Sequence, residues 1–279
     1  MTLLQILILA IVQGAAELLP VSSSAHVIVA EKLMGLDPTA PQMTLLLVML
    51  HTGTMFAVIV YFWKSWRAAY FSSMSAFRAT AMYVIVATAL TGIVGLALLR
   101  VIRYLVAGDS PAFEIEHLFG SARVMAAALA AAGVLIIASS RAAGRAGGEL
   151  SPGRAAWIGA IQGVCLPFRG FSRSAATISV GVLLGVGRRR AEEFSFALAV
   201  VLTPPVIAKE AYRLYQAVGG SAGAGGLLHS AAPGLLGMLL SFLAGLLALK
   251  WLTRWLDQGR WHFFGIYCLA AAPVVLRIG

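Results

Sequence analysis

Gln13-Gly14 and Gln162-Gly163, 149 residues apart, each open the same kind of interruption in otherwise apolar sequence. The first runs through Glu17 and Pro20 to Ser22-Ser23-Ser24 and His26, and the second through Pro167 to Ser172-Arg173-Ser174 and Thr177. Each combines an amide, a proline that ends a helix and a cluster of hydroxyls. Ionisable groups and unpaired backbone are costly in hydrocarbon, so interruptions at matching positions of two halves predict a midplane site where broken helices meet.

That the surroundings are lipid follows from composition. Of the 279 residues, 60% are hydrophobic and 11% charged, against about 25% charged in a typical soluble domain. An all-α polytopic membrane protein is predicted. Crossing ~30 Å of hydrocarbon takes about 20 helical residues, and six apolar runs reach that length: 42–63, 80–100, 118–140, 192–215, 229–250 and 261–277. The segments 2–35 and 152–187 are cut by Pro20 and Pro167 into shorter pieces and read as re-entrant helical hairpins. No Lys or Arg precedes Lys32, so the start lacks the basic region of a secretory signal and is expected to stay in the mature chain.

The net charge of +10 is spread through short loops rather than gathered in one run, which argues against nucleic acid and for a topology signal. With 64–78 cytoplasmic, 139–154, 188–190 and 250–260 fall on the same side, which then carries twelve Lys and Arg against six on the other. The two hairpins enter from opposite faces under this topology. The chain 1–279 is then one integral membrane domain built as an inverted-topology repeat. The first repeat, 1–140, holds the hairpin 2–35 and the spans 42–63, 80–100 and 118–140. The second, 152–279, holds the hairpin 152–187 and the spans 192–215, 229–250 and 261–277. The Gly- and Arg-rich stretch Arg141–Gly153 reads as a flexible linker. Gly219–Gly226, and Asp109 with Glu114 and Glu116, mark outer loops. Cys165 and Cys268 lie in membrane segments and are expected as free thiols with no disulfide.

Gln13 and Glu17 are four apart and share a helix face. Beyond Pro20, Ser22, Ser23 and Ser24 are N-cap types, and a new helix starting there offers free N–H groups and a positive dipole end to an anion. His26 follows Ser23 by three residues, so imidazole and hydroxyl are expected on one face. In the second interruption Arg173 carries a planar, permanently charged fork suited to phosphate oxygens. At the midplane it needs an anion, with Glu17 as resting partner and a phosphate as working one. Hydroxyls, helix starts and an arginine together describe a phosphate or diphosphate pocket.

These residues resemble the undecaprenyl-diphosphatase family of the bacitracin-resistance type over essentially the whole chain. The resemblance rests on Gln13–Glu17 running into Pro20-Val21-Ser22-Ser23-Ser24-Ala25-His26, on Gly170-Phe171-Ser172-Arg173-Ser174-Ala175-Ala176-Thr177, and on Glu192-Glu193-Phe194-Ser195-Phe196. It implies an enzyme of the bacterial inner membrane that removes the terminal phosphate of undecaprenyl diphosphate at the outer face. A divalent cation, Mg²⁺ or Ca²⁺, usually assists, with Glu17 as its ligand here. Carried over residue by residue, Glu17, Ser23, His26 and Arg173 form the catalytic set, and Gln13, Ser22, Ser24, Arg169, Ser172, Ser174 and Thr177 the substrate contacts. The partners implied are the polyprenyl diphosphate lipid and the membrane lipids, with a homo-oligomer left open.

Three departures from the family pattern stand out. Gln13 stands where many members carry a first glutamate, which removes one candidate metal ligand. Ala25 and Ala175 replace frequent glycines. Phe168-Arg169 is inserted between the usual proline and glycine, bringing a second arginine toward the anion.

The mechanism expected is phosphoryl transfer, with Arg173 and the helix starts holding the diphosphate, Ser23 or a water as nucleophile, His26 moving the proton and Glu17 orienting that histidine or a cation. The competing reading is a polyprenyl-phosphate flippase using the same midplane anion site. His51, inside a span beside Thr52 and Thr54, reads as interhelical packing. Glu193 reads as a candidate brace for the site, and Arg188-Arg189-Arg190 as a topology signal.

Overall fold

The computed structural model describes residues 1–37, 41–107, 121–142, 147–218 and 224–278. Among these the chain is all helical: α1 (Leu3–Leu18), α2 (Ser23–Leu33), α3 (Pro41–Tyr70), α4 (Met74–Ala107), α5 (Ala122–Ala142), α6 (Pro152–Cys165), α7 (Arg173–Leu183), α8 (Arg188–Val218), α9 (Ala224–Asp257) and α10 (His262–Ile278). Four stretches are long and apolar enough to cross a membrane: Leu45–Tyr70, Met74–Leu105, Ala122–Ala142 and Pro233–Asp257. The protein is thus a multi-pass membrane protein. The expected run 261–277 falls on α10, an apolar helix of 17 residues. The run 192–215 falls on α8, which opens with Arg188-Arg189-Arg190 and Glu192-Glu193 and contains Pro204 and Pro205.

Each proline break produces a short helical pair. α1 starts with a capping box between Thr2 and Gln5, and α6 with Ser151 as N-cap and Pro152 in its first turn. The helices that follow the breaks, α2 and α7, have 11 residues each, about 16 Å at 1.5 Å per residue. Both end against a glycine with positive φ, Gly35 at +63° and Gly185 at +84°.

Small residues set how closely the helices approach. α1 packs on α9, and α6 on α4. A Cβ on Gly14 would meet the Ser241 carbonyl oxygen at 2.8 Å, and one on Gly163 the Thr91 carbonyl oxygen at 2.7 Å. The two equivalent glycines thus sit at two equivalent crossings, where backbone meets backbone. Thr91 donates to the Gly159 carbonyl at 2.9 Å and accepts from Gln162 Nε2 at 3.0 Å, closing the α4–α6 contact with polar bonds. α7 is wedged between α5, α6 and α8 and is buried along most of its length, whereas α2 touches α1 and α10 and keeps an open side.

Two expectations about connections change. The linker 141–153 is not loose where it is described: α5 runs to Ala142, and Gly148 is pinned to the end of α7 by bonds between Gly148 N and Gly185 O (2.9 Å) and between Gly187 N and Gly148 O (3.0 Å). Ala224–Gly226 opens α9 rather than closing a loop. The rest of that loop, and Asp109, Glu114 and Glu116, lie outside the described residues. Both cysteines are free, as expected.

Candidate active site

The two breaks meet. α1 ends at Leu18 because Pro20 cannot extend it, and the chain turns through Ser22, whose φ of +68° is the one left-handed non-glycine among the described residues. Such a conformation costs about 1–3 kcal/mol and persists where surrounding structure over-determines it. The Ser22 side chain makes no cap bond; its Oγ lies 3.2 Å from Ser24 Oγ. The first-turn N–H groups of α2 therefore keep their capacity for an anion.

The second break is built alike. Ser172 caps α7 by accepting from Ala175 N at 3.3 Å, and its Oγ lies 3.3 Å from Ser174 Oγ. Gly170, at φ +99°, carries the turn past α5, where a Cβ would sit 2.3 Å from the Met125 carbonyl oxygen. Only glycine satisfies both demands. Ser174 Oγ reaches the Leu19 carbonyl at 3.5 Å, tying one break to the other. Ala25 and Ala175, in place of glycines, are fully buried in the core between them.

Glu17 is the hub. Its Oε2 accepts from Ser23 Oγ at 2.5 Å and from Gln13 Nε2 at 3.3 Å, and its Oε1 accepts from Arg173 at 3.1 Å. The expected Glu17–Arg173 pair thus forms across 156 residues of sequence. Beside it lies a cavity of about 210 Å³ lined by Glu17, Ser22, Ser23, Ser24, Arg169, Ser172, Arg173 and Ser174, with Gln162 in its wall. Arg169, expected as a second arginine near the anion, lines this cavity. Two helix starts, five serines and two arginines converge on one space, a donor set that can hold an anion.

Three expected residues do not line that space. Gln13 is buried, and its amide donates to Glu17 instead. Thr177 is fully buried, its hydroxyl turned back on the Arg173 carbonyl (2.8 Å) and against Ser195 Oγ (2.6 Å), where it steadies the backbone of Arg173. His26 is drawn away from Ser23. Its Nδ1 donates to the Ser22 carbonyl at 2.8 Å, its Nε2 lies 2.6 Å from the Tyr267 hydroxyl, and its ring stacks on that tyrosine. The expectation that Glu17 orients His26 is not met, because the α10 phenol holds the imidazole on the opposite side. There it faces an apolar cavity of about 400 Å³ lined by Val12, Leu19, Trp251, Trp255, Phe263 and Tyr267. Ala16 lines both cavities.

The histidine beside Glu17 is His51 of α3, with Nε2 at 3.8 Å from Glu17 Oε2. The packing reading missed it, although an ionisable residue inside a span was itself a signal. Tyr267 left no local signal. Glu193 bonds none of these residues. It accepts from Ser65, Arg189 and Arg190 and so joins the start of α8 to α3.

The donor set around Glu17 does not fit a resident divalent cation. Among the described residues no three His, Cys, Asp or Glu side chains converge. The carboxylate already takes an O–H, an amide N–H and a guanidinium, and Gln13 presents a donor toward it where a cation needs an acceptor.

The geometry agrees with what the sequence is similar to. The sequence model of the family described as "Bacitracin resistance protein BacA" matches residues 6–274. Undecaprenyl-diphosphatase 2 of Acinetobacter baylyi is 60% identical over 280 residues, covering 100% of this chain and 98% of the relative. Undecaprenyl-diphosphatase of Desulfosudis oleivorans is 33% identical, covering 99% and 98%, and that of Korarchaeum cryptofilum 29% identical, covering 100% of both. A match of this extent, on a chain whose motif residues meet in one cavity, establishes kinship: the chain belongs to the bacitracin resistance protein BacA family.

Proposed function

We propose that the chain hydrolyses undecaprenyl diphosphate to undecaprenyl phosphate and inorganic phosphate, returning the lipid carrier to cell-wall synthesis and so conferring bacitracin resistance. The observation that carries the mechanism is the 2.5 Å bond from the Ser23 hydroxyl to Glu17 Oε2. A nucleophile and its base stand in contact at the edge of a cavity framed by Arg173 and two helix starts. Arg173, with Arg169 and the α2 amides, holds the diphosphate and stabilises charge on the transferring group. Ser23 Oγ attacks the terminal phosphorus, the bond to the bridging oxygen breaks, and the Ser23 proton moves to Glu17. Water then cleaves the phosphoserine. His26 serves this reaction from the lipid side, where its ring and Tyr267 border the apolar cavity that takes the first part of the prenyl chain.

The finer architecture belongs to the same reading. α1–α2 and α6–α7 are re-entrant hairpins of an inverted repeat, in a bacterial inner membrane, with the site open to the outer face. The equivalent crossings of α1 on α9 and α6 on α4 support this, as do short helices of about half the hydrocarbon thickness.

The test is inorganic phosphate release from undecaprenyl diphosphate by detergent-purified wild type, Ser23→Ala and Arg173→Ala. Release by wild type that falls at least 10²-fold in both variants is expected. Absence of release from folded wild type would refute the assignment.

A further inference from the structure

His51 has no part in the mechanism above, yet its ring is set toward it. Nδ1 lies 2.8 Å from the Leu47 carbonyl oxygen one turn back. A carbonyl only accepts, so Nδ1 carries the hydrogen and Nε2 is the ring's available nitrogen. Nε2 faces Glu17 Oε2, the oxygen that receives the Ser23 hydroxyl. His26 is arranged differently: with Nδ1 donating to Ser22 and Nε2 accepting from Tyr267, both nitrogens are engaged. His51 also borders a small second cavity behind the Glu17–Arg173 pair, lined from α8 by Ala199, Val200 and Thr203. The charged groups that line this cavity with it are Glu17 of α1 and Arg173 of α7. Its side chain is 42% exposed, so the ring is not sealed in by the helices around it.

We propose that His51 is the proton acceptor behind Glu17, completing a Ser23–Glu17–His51 relay; the proposal rests on the phosphatase reading. In the first step Ser23 Oγ bonds to the terminal phosphorus, and the bond from that phosphorus to the bridging oxygen breaks. Its electron pair leaves on undecaprenyl phosphate. The Ser23 proton passes to Glu17 Oε2 and on to His51 Nε2, a transfer that closes the 3.8 Å gap by side-chain adjustment or through one water. In the second step a water oxygen bonds to phosphorus, the Ser23 Oγ–phosphorus bond breaks, and one water proton returns to Ser23. His51 releases its proton through its exposed edge. His51 acts through Glu17 and is a positioning residue, since it does not touch the phosphate.

Two substitutions separate proton transfer from orientation. His51→Asn keeps an N–H near the Nδ1 position for the Leu47 carbonyl and removes Nε2. His51→Gln puts an N–H near Nε2 that orients Glu17 and takes no proton. Phosphate release from undecaprenyl diphosphate is measured for wild type and for variants that elute as the wild-type species and keep its helical signal. The expected result is a kcat about 10²-fold lower in both, with KM within about twofold. A His51→Gln enzyme with wild-type kcat overturns the relay, as does a change confined to KM. If the Asn variant does not fold, the Gln variant decides alone. Wild type without any release overturns the phosphatase reading itself, an outcome distinct from active wild type with an indifferent His51.

Discussion

Replacing Glu17 by Gln keeps the shape of the hub and removes its charge, and two effects of opposite sign follow. Ser23 loses its base, which costs about 10²–10⁴ in kcat. Arg173 loses its resting counter-ion. At 3.1 Å and an effective dielectric constant of 20, the gross Coulomb attraction is about 5 kcal/mol. The two side chains are 26% and 18% exposed, so solvent and the remaining donors reduce the net to about 1–2 kcal/mol. That energy opposes diphosphate binding in the wild type, because Arg173 must exchange a carboxylate for a phosphate. Its removal lowers KM by roughly 5–30-fold. The assay is the dependence of phosphate release on undecaprenyl diphosphate concentration, where slow chemistry lets KM report binding. A Glu17→Gln enzyme with undiminished kcat, or with lower kcat and higher KM, would refute the view of Glu17 as both base and competitor for Arg173.

Other outcomes follow from the same geometry. Gly170→Ala places a Cβ 2.3 Å from the Met125 carbonyl oxygen at φ +99°; a loss of about 2–4 kcal/mol should show as a lower thermal midpoint in detergent, and an unchanged midpoint would refute the strain. Phosphate release by wild type should persist in EDTA, because Gln13 and Arg173 take the place of a cation at Glu17. Gln13→Glu sets two carboxylates four residues apart on one helix face, so it should bind Ca²⁺ in calorimetry and make EDTA inhibitory; Ca²⁺ binding by the wild type at Glu17 would contradict this. Trp255→Ala should raise KM for undecaprenyl diphosphate about 3–10-fold through lost contact with the prenyl chain and leave kcat within twofold, whereas an equal KM would remove the apolar cavity from the tail path.

Several parts of this protein were legible locally. A proline followed by serines in apolar sequence determines where a helix stops and another starts, because ring geometry and capping act within a few residues. The helix breaks at Pro20 and Pro167 and the serines at both helix starts were readable for that reason. The pairing of Glu17 with Arg173 was readable for another: two opposite charges confined to hydrocarbon have few partners other than each other. The direction of His26 was not readable. Three residues from Ser23 leaves two side chains near one face, but the bond to the Ser22 carbonyl and the phenol of Tyr267, 241 residues away, rotate the imidazole toward α10. Thr177 failed as a ligand because its hydroxyl bonds the carbonyl one turn back, a habit of threonine in helices.

By itself, then, the sequence determined a membrane-embedded helical chain, two broken helices, and a serine, a glutamate and an arginine beside the breaks. The tertiary structure alone decided which histidine stands beside Glu17, that His26 of α2 looks to the apolar cavity, and that Thr177 turns away from the site. Short-range rules act through covalent geometry and are written in neighbouring residues. The approach of α3 and α10 to the two breaks depends on which small residues let distant helices close to backbone contact, and that is settled when the helices pack.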